Sequence, residues 1–93
     1  MKILFFMKKT IENVRELAKE VFKPRLFAGR ITHNRNSINV WSRGIISCIV
    51  ATIIPDDNLV YLGTKRYERK ARRFGEIYHE RFSEELVARK LYD

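Results

Sequence analysis

Apolar residues recur at three- and four-residue spacing from Ile11 through Val14, Leu17, Ala18 and Val21 to Phe22, which predicts an amphipathic helix over Thr10–Phe22. Thr10 can cap its start, Glu12 lies in its first turn, and Lys23-Pro24 ends it, because the residue before proline avoids helical geometry. Glu12–Arg15, Glu16–Lys19 and Glu20–Lys23 are i,i+3 pairs on its wet face, each worth tenths of a kcal/mol. The period then changes. Arg25–Thr32 reads as a strand, His33–Ser37 as turn chemistry, and Ile38–Arg43 alternates like a half-buried strand. Between Gly44 and Pro55 lies the uncharged, β-branched run Ile45–Ile54. Neither of its alternating faces is polar, so a central strand covered on both faces is expected, by helices or by a partner chain. If no helix covers one face, a second copy is the natural cover, which admits a homodimer. Pro55-Asp56-Asp57-Asn58 is a turn, and Leu59–Leu62 pairs back as a hairpin. Met1–Phe6 reads as a short first strand.

From Lys65 the pattern is helical again. Tyr67, Ala71, Phe74, Tyr78 and Phe82 form a core stripe, with Arg66, Arg69, Lys70 and Arg73 roughly 120° away from it. Gly75 costs that helix ~1 kcal/mol against alanine. Ser83-Glu84-Glu85 resembles a fresh helix start, which predicts a short helix Glu84–Tyr92. The whole pattern is α+β: a small, mostly antiparallel sheet of four to five strands with an N-terminal helix and a long basic C-terminal helix. Residues 1–93 leave room for one domain and one core.

Composition narrows the class. With 45% hydrophobic and 32% charged residues, the chain is globular rather than disordered. One cysteine, Cys48, allows no internal disulfide and suits a reducing compartment. The five apolar residues Ile3–Met7 are too few for a signal peptide, so a cytoplasmic location is expected; a translation start at Met7 would make them a leader. Nor is the run before Pro55 long enough to cross a bilayer, which needs ~20 residues. The net charge of +8 is concentrated in two blocks, residues 1–44 and 65–75, flanking the neutral run. Such a field attracts polyanions; the plain alternative is a soluble surface.

The second block carries the clearest candidate chemistry. Lys65, Arg66, Arg69, Lys70, Arg72 and Arg73 crowd the start of a helix, where the dipole already presents positive charge and acids would stabilise. That arrangement suits a bound phosphate. Arg30, Asn34, Arg35, Asn36 and Ser37 form a basic hairpin of residue types that reach phosphates and base edges, and equally a polar turn. Trp41 is expected in the core, with base stacking as its alternative. Glu76-x-x-His79 is a single motif where a di-metal site needs two, and His33, His79 and Cys48 are too few for zinc, so neither metal nor cofactor is expected. Cys48 reads as a core residue, and no P-loop, dinucleotide fingerprint or Ser-His-Asp pattern occurs.

Leu59-Val-Tyr-Leu-Gly-Thr-Lys-Arg-Tyr-Glu-Arg-Lys-Ala71, a strand ending in Leu-Gly-Thr before an amphipathic helix, resembles the arm-type N-terminal DNA-binding domain of tyrosine integrases. The resemblance spans about residues 38–80. It implies strands in the major groove braced by the following helix, with Arg30, Arg35 and Arg43 making the contacts. The order of strand, helix, hairpin and basic Lys65-Arg66-Tyr67 also resembles RelE-type ribosome-dependent RNase toxins, which would map a catalytic set to Arg43, Lys65, Arg66 and Tyr67. The expectation is therefore a small nucleic-acid-binding protein contacting DNA or RNA through Lys65, Arg66, Arg69, Lys70 and Arg73 with Arg30, Arg35 and Arg43. A RelE-like RNase and a small inhibitor of another protein are the alternatives, and a virus or plasmid is the source these readings suit.

Overall fold

Thr10 stands in extended conformation and its Oγ1 accepts from the Asn13 N–H at 3.1 Å, which satisfies one donor left over at the start of helix α1, Ile11–Phe22. The computed structural model describes residues 7–26 and 28–93, so the strand expected at Met1–Phe6 lies outside the described residues. Lys23 closes α1 in the left-handed region at φ 48°. Val14, Leu17, Ala18, Val21 and Phe22 are buried, the stripe that their spacing defines. On the wet face Glu16 and Lys19 pair at 3.2 Å. Glu20 instead takes Arg81 of the second helix in two contacts of 2.8 and 3.2 Å.

After α1 the chain does not extend at once. Arg25 has φ 76° and its N–H donates to the Ala28 carbonyl at 2.8 Å, so a tight turn occupies most of the strand expected at 25–32. Strand β1 is Ile31–His33 only, followed by β2 (Ile38–Trp41), β3 (Ile49–Ile54) and β4 (Leu59–Leu62) in an antiparallel meander. Helix α2 (Glu68–Phe82) then crosses over, and β5 (Val87–Lys90) adds to β4 in parallel. The sheet order is β1-β2-β3-β4-β5. The protein is α+β, with a five-stranded sheet and both helices packed on one of its faces.

Two further expectations about the elements need correction. The run 45–54 is not one strand buried on both faces. Residues 42–48 form a loop closed by Ser42, whose N–H donates to the Cys48 carbonyl at 2.8 Å while its Oγ accepts from the Cys48 N–H at 3.0 Å. Gly44 turns in it at φ 124°, a conformation that suits glycine. Ile45 and Ile46 at its tip are exposed, and so is Cys48, which is no core residue. In β3 past the bulge at Val50, which is itself buried, Ala51 and Ile53 are buried and Thr52 and Ile54 half-buried, the pattern of a sheet covered on one side. The second correction concerns 84–92, which holds strand β5 (Val87–Lys90) rather than a helix. Ser83 stops α2 at φ 57°, and the Val87 and Leu91 N–H groups donate to the Asn58 and Leu62 carbonyls at 2.8 Å each. The free edge of β4 outweighs the local helix signal.

The core between helices and sheet joins Ile38, Val40, Ile53, Val60 and Leu62 to Leu17, Phe22, Phe74 and Tyr78, all close to fully buried. Phe22, Phe74, Tyr78 and Phe82 form a file with successive ring centroids 5.9, 5.9 and 5.0 Å apart. Each such pair adds about 0.5–1.5 kcal/mol beyond burial. The register gives the sheet two unlike ends. The loop end gathers the turn after α1, the 42–48 loop and the entry to α2. The turn end gathers Asn34–Ser37, Pro55–Asn58 and the close of α2. There Lys9 Nζ donates to the Pro55 carbonyl (2.8 Å) and Asn58 Oδ1 (3.0 Å) and pairs with Glu84. The Tyr78 hydroxyl also donates to Asn58 Oδ1, at 2.6 Å, and burial pushes its pKa above the usual range.

Candidate nucleic-acid interface

Leu62-Gly63-Thr64 delivers the chain from β4 to a single 3-10 turn, Lys65–Tyr67, and the Thr64 Oγ1 accepts from the Arg66 N–H at 3.4 Å. Helix α2 proper begins at Glu68, so Lys65 and Arg66 precede it and its first turn does hold an acid. Glu68 is engaged: it accepts from the Tyr92 hydroxyl at 2.6 Å and from Lys90 Nζ at 3.1 Å. Those hydrogen bonds hold its carboxyl below the ordinary value of 4.5, and in return push the Tyr92 hydroxyl up to about 12. The cations around the helix start are therefore not explained by an empty dipole.

What gathers them is the hairpin. Strand β3 starts and β4 ends at the loop end, which sets the 42–48 loop against the entry to α2. Arg43 from the first basic block and Arg66 and Lys70 from the second line one concavity of about 400 Å³, with Ser42, Thr64 and the Tyr67 edge and without a carboxylate. Arg43 is held there by donating from Nη1 to the Leu26 carbonyl at 2.6 Å. Arg43 also borders a second hollow with Arg25 and Arg30, while Lys70 borders a third with Lys23, Arg69 and Arg73, which Glu20 also lines. Lys65 lies beside Arg66, Arg69 and Arg72 around the engaged Glu68. Shared residues thus join the two blocks into one band. Arg25 and Lys23 belong to it and were not singled out from the sequence; the basic flanks of Pro24 were the available signal.

Arg35 does not join the band. It sits at the turn end, where Asn34 Oδ1 accepts from the Asn36 and Ser37 N–H groups at 2.9 Å each in a self-contained polar turn. Arg30 leaves that hairpin for the loop end, with its guanidinium carbon 4.4 Å from the centre of the Trp41 ring. Trp41 is not in the core. It is half-buried on the face opposite the helices, and its Nε1–H donates to Thr32 Oγ1 at 2.8 Å.

Another concavity, about 530 Å³, lies elsewhere, between α2 and β5. Glu68, Glu76 and Glu85 line it together with Arg72 and Lys90, so its charge is mixed and it favours phosphate less than the hollow at Arg43 and Arg66. Among the described residues no group of three or more His, Cys, Asp or Glu is placed to hold a metal. No helix among them is long and apolar enough to cross a membrane. Compared with protein-family models, curated proteins and solved structures, the chain gave no match.

Proposed function

We propose that the protein binds nucleic acid, DNA or RNA, by phosphate contacts along the basic band at the loop end. One observation carries the reading: Arg43 and Arg66, from separate basic blocks, line a single concavity without a carboxylate. Cations converging on a hollow repel one another, at a cost that a bound polyanion relieves. Guanidinium groups with neighbouring Ser42 and Thr64 hydroxyls are the donors that phosphate oxygens take.

The test is fluorescence-anisotropy titration of random-sequence DNA and RNA over a range of salt. Affinity should fall steeply with salt, and Arg43→Ala and Arg66→Ala should each flatten the log–log slope by about 0.9 for duplex DNA. Absence of salt-dependent affinity would leave the band a soluble surface and favour the inhibitor reading. A second reading draws on the same hollow, since Arg43, Arg66 and Tyr67 are members of the set that a RelE-like RNase would use. Cleavage of mRNA on ribosomes, lost in Arg66→Ala, would establish it.

A further inference from the structure

We propose that the helix-free face of the sheet is a stacking platform for single-stranded nucleic acid, its bases on β2–β4 and its phosphates along the loop-end band. The proposal rests on the phosphate-binding reading above and names its substrate class. The register aligns Thr32, Asn39, Thr52, Tyr61 and Arg89 in one row across all five strands. The Thr52 hydroxyl donates to Asn39 Oδ1 at 2.9 Å, which fixes the amide in the middle of the row. Toward the loop end the same face carries Trp41 with Arg30 layered on its ring. No element among the described residues covers this side.

The chemistry of the face selects the occupant. No strand contains an Asp or Glu, so the face offers two aromatic rings, hydroxyls, an amide and two arginines, beside the apolar row Ile54, Leu59 and Val87, without a carboxylate. Bases stack on aromatic rings and on guanidinium planes, and Asn and Thr meet their edges. A duplex keeps its bases stacked inside and could use only the arginines, whereas a single strand can use the rings as well. A second copy of the chain fits poorly. Face-to-face pairing would bring the Arg30 and Arg89 of both copies into one interface, in a protein of net charge +8. The face also continues into the band through Arg30, which borders the hollow that holds Arg25 and Arg43.

Trp41 is the only tryptophan, so its fluorescence reports on this face alone. An oligothymidylate strand should quench it with the midpoint seen by anisotropy, and should bind more tightly than a duplex of equal length at the same salt. Tyr61→Leu should weaken single-strand binding on the order of tenfold with the salt slope unchanged, because it removes stacking and no phosphate contact. Tyr61→Phe should keep the affinity. If the leucine variant fails to fold, quenching in the unaltered protein still decides. Equal single-strand and duplex affinity, with no quenching, would overturn the platform while leaving the phosphate reading in place. Loss of all salt-dependent binding would remove both. A sedimenting dimer that Tyr61→Leu dissociates would assign the face to a second copy and overturn the proposal too.

Discussion

A methyl group on Gly29 would lie 2.2 Å from the Ser42 carbonyl oxygen, far inside contact distance, and both partners are backbone. Gly29 is held there because its N–H donates to the Trp41 carbonyl at 2.8 Å, while the Trp41 N–H donates to the Arg30 carbonyl at 2.9 Å. Gly29→Ala should therefore cost about 1–3 kcal/mol, read by urea denaturation, and should disturb Arg30 and Trp41 together. Gly75 is the opposite case. Nothing lies within 4 Å of the position a Cβ would take, and the residue is interior to α2. Gly75→Ala should add about 1 kcal/mol, a Tm rise of about 4–8 °C in a domain of this size. The second effect was legible in the sequence, because helix propensity is local. The first was not, since it depends on a segment thirteen positions on. Cys48 and Trp41 went the same way: an uncharged run suggests a core for the one and a large apolar ring on a strand for the other, but the Ser42–Cys48 closure and the one-sided sheet decide.

Elements whose signals lie within themselves were readable: the stripes and ends of α1, the core stripe of α2, and the β3–β4 hairpin with its Pro55–Asn58 turn. Strand β5 was not. All four of its residues are exposed and Val87-Ala88-Arg89-Lys90 has no strand period; only the unpaired edge of β4 makes it a strand. Its anchor is the Glu68 carboxylate, which accepts from Tyr92 and Lys90. Glu68 has a lowered pKa, so its contribution is present above the ordinary value of 4.5 and is lost as pH falls through the native value. Tyr92 has a raised pKa, so its contribution is present below the ordinary value of 10.0 and is lost as pH rises through about 12. Tyr92→Phe removes the shared hydrogen bond. The stability gap between wild type and Tyr92→Phe should be widest near neutral pH and shrink by pH 3, measured by urea denaturation at each pH. A gap that is the same at pH 3 and pH 7 would show that the carboxylate does not anchor the strand.

On the scale of the whole molecule the two basic blocks were visible in the sequence, but their meeting was a matter of topology, because it needs β2, β3 and β4 to run back and forth. That same topology separates Arg35 from Arg66. Strand β3 alone is six residues long, roughly 20 Å at ~3.3 Å per residue. Screening then tells contact from field. The Debye length is ~8 Å at 0.15 M salt and ~30 Å at 0.01 M. A charge at the turn end can reach a polyanion on the loop end only when salt is low. Arg35→Ala should therefore lower affinity measurably near 0.01 M salt and leave it unchanged near 0.15 M. Arg66→Ala should weaken binding at both, since a contact is not screened away in the same manner. Anisotropy titrations of the two variants and wild type at the two salt concentrations make the comparison. If Arg35→Ala costs as much as Arg66→Ala at 0.15 M, the nucleic acid touches both ends of the sheet, and a footprint confined to the loop end is wrong.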